Sequence, residues 1–413
     1  MKILLLNTHD YGGAAIAAMR LHEALLHKGI DPQLYVQIKT RAYPTTLSIT
    51  SDFRIRNTSM RTLIDRSPIF LYKNLKTTAW SPAWLPNPVS KRITALNPDI
   101  VHLNWICGGF IPVHELQKIT KPIVWTLHDM WPMTGGCHYT GDCQKYQDRC
   151  EACYLLGSQS KNDLSSWVWK RKKRYWRDLD LTIVSPSRWL AQCAKNSALF
   201  KNRSVEVIPN CLDTSQYKPF DKKNARTALS LPHDKKLILF GAVNATTDIR
   251  KGFHLLKESL KLLSENGNNN DTELVIFGNS VDPEQLETKI KVHSLGKLPD
   301  ETRIPLIYSA ADVFIAPSIQ ENLANTVMES LACGTPVVAF NIGGMPDMID
   351  HKNNGYLAKP FSCQDLAEGI VWILKNDDNR AYLSESSRNK VLREYGSAHI
   401  AQRYLDLYEK ILY

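Results

Sequence analysis

No apolar run in this 413-residue chain approaches the ~20 consecutive residues that a membrane-spanning helix requires. Its longest such runs, at 3–6 and 336–340, have the length of strands. The N-terminal stretch also lacks the marks of a secretory signal. A single Lys2 precedes a strand-length run and a Gly12-Gly13 turn, and no small-residue cleavage site follows. Excess charge and a shortage of apolar residues are both missing: 22% and 43% are globular values, which excludes a largely disordered chain. Acidic residues are scarce in one half only. Residues 1–210 hold 28 Lys+Arg against 15 Asp+Glu, whereas 211–413 hold 23 against 26. Tryptophan is nearly absent from the second half, nine of the ten lying in the first. The length exceeds one ordinary core and suits two domains of about 200 residues. These features predict a cytoplasmic protein, at most peripheral at the inner face of the plasma membrane.

What is present is a repeated strand–helix pattern. Residues 2–6 read as a buried strand, followed by a turn through Gly12 and Gly13 and then a helix. That helix carries Ile16, Met19, Leu21, Leu25 and Leu26 at helical spacing. Gly29 stops it and 32–38 is the next strand, which makes a βαβ unit and implies a parallel sheet. Further strands are predicted at 100–103, 123–127 and 181–185. The pattern restarts at 237–240 and continues at 274–277, 313–316 and 336–340. Two α/β units in series are therefore expected, with ligands at the carboxyl ends of the strands.

The most informative stretch runs from Ser318 to Pro336. Glu321 and Glu329 are separated by seven residues across the start of a helix that begins near Asn325 or Thr326. The free amides and positive dipole end of such a helix suit a phosphate or the polar edge of a sugar. Glu321, in the loop before it, can accept hydrogen bonds from ligand hydroxyls. Glu329, about one turn in, matches the cis hydroxyls of a ribose. Gly334-Thr335-Pro336 ends the helix.

The Glu-x7-Glu pattern followed by Ser-Leu-Ala-Cys-Gly-Thr-Pro resembles the signature of the family 4 retaining glycosyltransferases. Other pieces resemble the same family in the same order: Gly12-Gly13, His128-Asp129, Ser185-Pro186-Ser187, the 208–213 segment, Arg250-Lys251-Gly252 and 310–318. Within it, 128–176 looks most like bacterial enzymes of exopolysaccharide, colanic-acid-type or O-antigen assembly. The resemblance implies an α/β fold of the GT-B type, two Rossmann-like domains facing across a cleft. Residues 1–208 would bind the acceptor and carry a Cys-rich insertion at 131–157. Residues 209–395 would bind the donor, and 396–413 would form a helix crossing back to the first domain.

Residue by residue, the resemblance implies that Glu321 contacts the donor sugar and Glu329 the ribose of a nucleotide. Arg250 and Lys251 would hold the diphosphate, where positive charge stabilises the leaving group. His128 would lie beside the transferred sugar and the acceptor hydroxyl, and Gly13 would let the first-helix N-terminus approach its ligand. Gly241, Asn322, Leu323, Ala324, Asn325 and Thr326 complete the expected donor side. Two departures stand out. Asn322-Leu323-Ala324 replaces the family's Gly-Phe-Gly loop, and Ala242 stands where the family has an Arg, so that charge is assigned to Arg250. The implied reaction moves a sugar from a UDP- or GDP-sugar to a saccharide or lipid-diphosphate-linked acceptor with retention of configuration. Its catalysis is expected to be metal-independent, Arg250, Lys251 and helix dipoles supplying the charge. Other readings are a nucleotide-sugar epimerase or hydrolase, since a fold does not fix a function, and a non-catalytic sugar-nucleotide or partner-binding module.

Four of the nine cysteines are packed into Cys137-x5-Cys143-x6-Cys150-x2-Cys153. The last pair has the spacing of a zinc knuckle, and four thiolates satisfy a structural zinc site. Free thiols and disulfides are the alternatives, and His138 is a substitute ligand. Cys107, Cys193, Cys211, Cys333 and Cys363 are read as small buried residues. Two basic stretches interleaved with aromatics, 53–76 and 167–177, suit an anionic membrane surface. A helix with aromatics packed inward and Lys/Arg outward fits them as well. No recognised nucleic-acid motif accompanies the charge, so nucleic acid is not an expected partner.

Overall fold

The structure is a computed structural model, and it describes residues 1–40, 46–48, 60–77, 79–241, 248–265, 271–278, 286, 288–296, 301–375 and 377–413. The chain divides into two units, Met1–Cys211 with Ile400–Tyr413, and Leu212–His399.

In the first unit the strands are β1 (Ile3–His9), β2 (Gln33–Ile38), β3 (Thr46–Ser48), β4 (Ile100–Leu103), β5 (Ile123–Thr126), β6 (Leu181–Ser185) and β7 (Val205–Val207). They form one sheet in the order β3-β2-β1-β4-β5-β6-β7. Every pairing is parallel, with Leu5 opposite Leu34 on one side and His102 on the other. A parallel strand covered on both faces buries alternate side chains into separate cores, which is why residues 3–6 of β1 and all of β4 except His102 are apolar. One face packs Leu4, Leu6, Val101 and Trp125 with Trp131, Trp176 and Phe200. The other packs Ile3, Leu5 and Val124 against the helix Gly13–His27 and against Ile400, Tyr404 and Tyr408 of the last helix. His102 ties that helix to the sheet, its Nδ1 2.6 Å from the Tyr408 hydroxyl and its Nε2 2.8 Å from Thr126 Oγ1. The buried ring is held neutral, burial lowering its pKa to about 3 with His128 adding to the effect.

The second unit has β8 (Lys236–Gly241), β9 (Thr272–Phe277), β10 (Val292–Gly296), β11 (Val313–Ala316), β12 (Val337–Phe340) and β13 (Gly355–Ala358). Their order is β10-β9-β8-β11-β12-β13, again all parallel. The helix Asn325–Ala332 packs on one face, placing Val327, Met328 and Leu331 among Phe314, Val337 and Tyr308. The helices Phe253–Glu265 and Cys363–Leu374 cover the other face. Among the described residues no helix is long and apolar enough to cross a membrane.

Candidate functional site

The second unit assembles its polar cluster at the carboxyl ends of β8, β11 and β12, where a doubly wound sheet presents loops to a ligand. Arg250 and Lys251 lie in a single turn of 3-10 helix, Ile249–Lys251, capped by the Asp248 carboxylate on the Arg250 amide at 3.1 Å. Gly252 ends the turn at φ 71°, and a Cβ there would run into the Pro317 carbonyl oxygen. Glycine is thus required both by conformation and by space. The Arg250 carbonyl accepts from the Ile319 amide at 2.8 Å, so this turn is fixed to the loop after β11. The result brings two residues seventy positions apart into contact: Lys251 Nζ lies 2.7 Å from Glu321 Oε2. Arg250 is held by Asp248 in a fork, at 3.1 and 2.6 Å.

Glu321 is fixed from its other side. Its carbonyl accepts from the Gly344 amide at 3.2 Å, and a Cβ on Gly343 would strike that same carbonyl. Asn322 and Leu323 are buried, and Leu323 points into the apolar core beside Val327. Of the expected donor-side residues, Leu323 therefore presents no side chain to a ligand. Ala324 is the N-cap, without a side-chain cap bond, and Asn325 and Thr326 open the helix. Glu329 is buried, its Oε2 receiving the Tyr308 hydroxyl at 3.1 Å. Burial, reinforced by the Glu329 charge, pushes the Tyr308 phenol well above its ordinary pKa, so it stays a donor. Gly241 ends β8, but its missing side chain is explained by packing, since a Cβ would collide with the Phe277 ring. Ala242 lies outside the described residues.

In the first unit His128 follows β5 and Asn104 follows β4. His128 Nε2 lies 3.0 Å from Asn104 Oδ1, which assigns the ring proton to Nε2 and leaves Nδ1 as an acceptor. Burial lowers its pKa to about 4, against the opposing charge of Asp129, so the ring is neutral at pH 7. Asp129 is a hub that accepts from the Trp131 amide at 2.8 Å, the Trp105 indole at 2.9 Å and His138 Nδ1 at 2.7 Å. Burial works to raise its pKa, but the pull of His138 and the other donors outweighs this and leaves the carboxyl below its ordinary value. His138 Nε2 pairs with Ser81 Oγ at 2.9 Å. Both ring nitrogens are thus engaged, which removes His138 as a substitute metal ligand. Ser81, His138 and Asp129 have the connectivity of a hydrolytic triad, yet all three are buried. They fix the 129–138 loop instead. At the first βα turn the positive φ, 87°, belongs to Gly12, while Gly13 opens the helix.

Asn104, Tyr308 and Asp248 were missing from the sequence reading. Asn104 follows the same rule that singled out His128, a polar residue just after a strand. Tyr308 has no such signal, because its partner is set by the packing of the helix Ile304–Ala310 on Asn325–Ala332. The chain also contains an Asp-x-Asp triplet, Asp178-Leu179-Asp180. Both carboxylates are exposed and precede β6, at the opposite strand ends of the first sheet from His128, so the triplet stands away from His128.

Cys137, Cys143, Cys150 and Cys153 line one small cavity, together with Trp80, Lys145 and Tyr154. Burial raises the Cys137 thiol and pushes Cys150 to about 12. Cys107, Cys211 and Cys333 are buried, whereas Cys193 and Cys363 are half-buried. In the basic helix Leu164–Tyr175, Trp169 points inward, as does Trp176 just beyond its end. Trp167 is exposed, its ring 4.5 Å from the Arg171 guanidinium. Phe53, Arg54 and Arg56 of the other basic stretch lie outside the described residues.

Residues 11–216 match the model of Glycosyltransferase Family 4, and 221–390 that of Glycosyl transferases group 1. An uncharacterised glycosyltransferase of Methanocaldococcus jannaschii is 29% identical over 196 residues, 46% of this chain and 48% of that protein, so the match spans about half its length. A D-inositol 3-phosphate glycosyltransferase of Catenulispora acidiphila is 21% identical over 98% of this chain and 91% of its own. Among solved structures, Anabaena HepE in complex with UDP and glucose has a TM-score of 0.69 at 16% identity, covering 99% of this chain and 100% of that one. Both sheets, their order and nearly the whole sequence are thereby accounted for, and the chain belongs to the group 1, family 4 glycosyltransferases of GT-B fold.

Proposed function

We propose that the chain transfers a sugar from a nucleotide-diphosphate sugar, UDP- or GDP-linked, to a saccharide acceptor with retention at the anomeric carbon. The observation that carries this reading is the Lys251–Glu321 pair at 2.7 Å, beside the opening of the helix that holds Glu329. In the free protein the two charges neutralise each other. With donor bound, Lys251 and Arg250 turn to the diphosphate, Glu321 to the sugar hydroxyls, and Glu329, oriented by Tyr308, to the ribose. HepE, which shares the fold, holds UDP and glucose in its structure.

The step is a same-face substitution. The acceptor oxygen bonds to the anomeric carbon as the bond from that carbon to the phosphate oxygen breaks, and the leaving phosphate takes the acceptor proton. The cations stabilise the charge that develops on the diphosphate, without a metal. His128, neutral and fixed by Asn104, presents Nδ1 as an acceptor and orients the acceptor hydroxyl rather than attacking. The acceptor is proposed to be a lipid-linked saccharide of surface polysaccharide assembly, met at an anionic leaflet. Exposed Met60, Leu63, Phe70 and Leu71 among basic residues support that surface. Thermal unfolding across a panel of nucleotides and nucleotide sugars tests the donor. Ligand at about 100 times its Kd adds ~2.7 kcal/mol, and no shift with any UDP or GDP compound removes the proposal.

A further inference from the structure

The cysteine-lined cavity lies outside the proposed catalytic chemistry, and its surroundings are unusual for four ordinary thiols. The cavity measures about 20 Å³, enough for one water-sized occupant and far below what a sugar needs. One wall aims a donor at sulfur. The Gly135 amide donates to Cys150 Sγ at 3.1 Å, and a Cβ at Gly135 would press on the Cys150 Cβ and the Ser165 carbonyl, so glycine allows that approach. Trp80, fully buried and lining the cavity, has an indole Nε1 with no hydrogen-bond partner. Amides directed at sulfur stabilise thiolates, the form that ligates a metal.

Charge supplies an independent argument. Lys172 is 0% exposed. Its ammonium donates to the Trp131 and Thr134 carbonyls and lies over the Trp131 ring. Among the described residues no carboxylate pairs with it at salt-bridge distance. An ammonium buried without a counter-charge is costly, and burial lowers the Lys172 pKa to about 7. Four thiolates around one divalent ion carry a net charge of two minus, which would balance Lys172 and the neighbouring Lys145.

We propose that Cys137, Cys143, Cys150 and Cys153 form a structural zinc site. As the side chains stand, no group of three or more His, Cys, Asp or Glu among the described residues is arranged to hold an ion. Binding therefore turns the thiols inward into the cavity, each losing its proton. Four sulfurs in a small enclosed site select zinc over calcium or magnesium, and a tetrahedral site closed by protein has no open position for catalysis. The ion would clip the 137–153 segment, whose start is tied through His138 to Asp129, the neighbour of His128. Its role is to hold the loop beside His128.

The test uses the full chain, purified with reductant and without chelator. Elemental analysis should find about one zinc per chain, released into a colorimetric chelator as a mercurial titrates the thiols. Cys150→Ser and Cys153→Ser should each lose most of the zinc, while Cys363→Ser retains it. Should those variants fail to fold, the mercurial release from the wild-type chain decides alone. Less than ~0.2 equivalents of zinc with four titratable thiols overturns the proposal. So does a mass deficit showing disulfides, or iron in place of zinc.

Discussion

Replacing Lys251 by Ala should damage turnover in two separable ways. The ammonium stands 2.7 Å from Glu321, the lysine side chain being 30% and the glutamate 13% exposed, so the pair is partly shielded from water. Loss of the cation removes stabilisation from the departing diphosphate, an effect of ~10²–10³ in kcat. It also strands Glu321 beside that anion. A like charge about 5 Å away at an effective dielectric of about 20 costs ~3 kcal/mol. Glu321→Gln relieves this repulsion while losing its own hydrogen bonds to the sugar. The double variant should then be at least about fivefold more active than the product of the two single effects, a coupling near 1 kcal/mol. Nucleoside diphosphate release from the preferred sugar nucleotide, with acceptor present, gives kcat and KM for each variant. The loss should fall mainly on kcat, because the charge develops in the transition state. Urea unfolding should move by no more than about 1 kcal/mol, the usual ceiling for a partly exposed pair. A Lys251→Ala enzyme within threefold of wild-type kcat, or single effects that simply multiply, would refute the reasoning.

Three further outcomes are expected. Gly252→Ala forces a Cβ into the Pro317 carbonyl at φ 71°, so it should cost more than ~2 kcal/mol in urea unfolding; a change under 0.5 kcal/mol contradicts the turn geometry. His102 is neutral when folded, with a pKa of about 3, whereas the unfolded chain protonates it near 6.5. Its contribution is therefore complete above pH 6.5 and is lost as pH falls from there toward 3, at up to ~1.4 kcal/mol per pH unit. Measured stability should show that slope, and His102→Asn should flatten it; an unchanged slope contradicts the assignment. Vesicles containing anionic lipid should co-sediment the protein at low salt and release it at high salt, and no binding at low salt retires the membrane reading.

The parts of the fold that could be read from sequence are the interior strands. β1, β4, β5, β6, β8, β9, β11 and β12 each have neighbours on both sides and helices on both faces, so each carries a short apolar stretch, broken only by His102 in β4 and Thr182 in β6. β3, β7, β10 and β13 went unread, and all four are sheet edges. β7 is half-buried throughout and β10 half-buried with an exposed Ser294, so neither has an apolar run to notice. At the site, Glu321, Glu329 and Lys251 were legible because the Glu-x7-Glu spacing and the Arg250-Lys251-Gly252 turn resemble the family pattern in the same order. The burial of Leu323, the Phe277 ring against Gly241 and the double engagement of His138 depend on side chains remote in sequence. No local pattern encodes them. Tyr308 is the clearest case, a tyrosine in an apolar helix whose hydroxyl finds Glu329 only through helix packing.

The central claim is that the second unit grips a nucleotide-diphosphate sugar through Glu329 and the Arg250-Lys251 turn. A crystal structure of the chain soaked with the UDP- or GDP-sugar that stabilises it most tests this directly. The ribose hydroxyls should lie within hydrogen-bond distance of the Glu329 carboxylate, with the diphosphate oxygens against Arg250 and Lys251 and the sugar at Glu321. A nucleotide bound elsewhere, with Lys251 still paired to Glu321, would contradict the account.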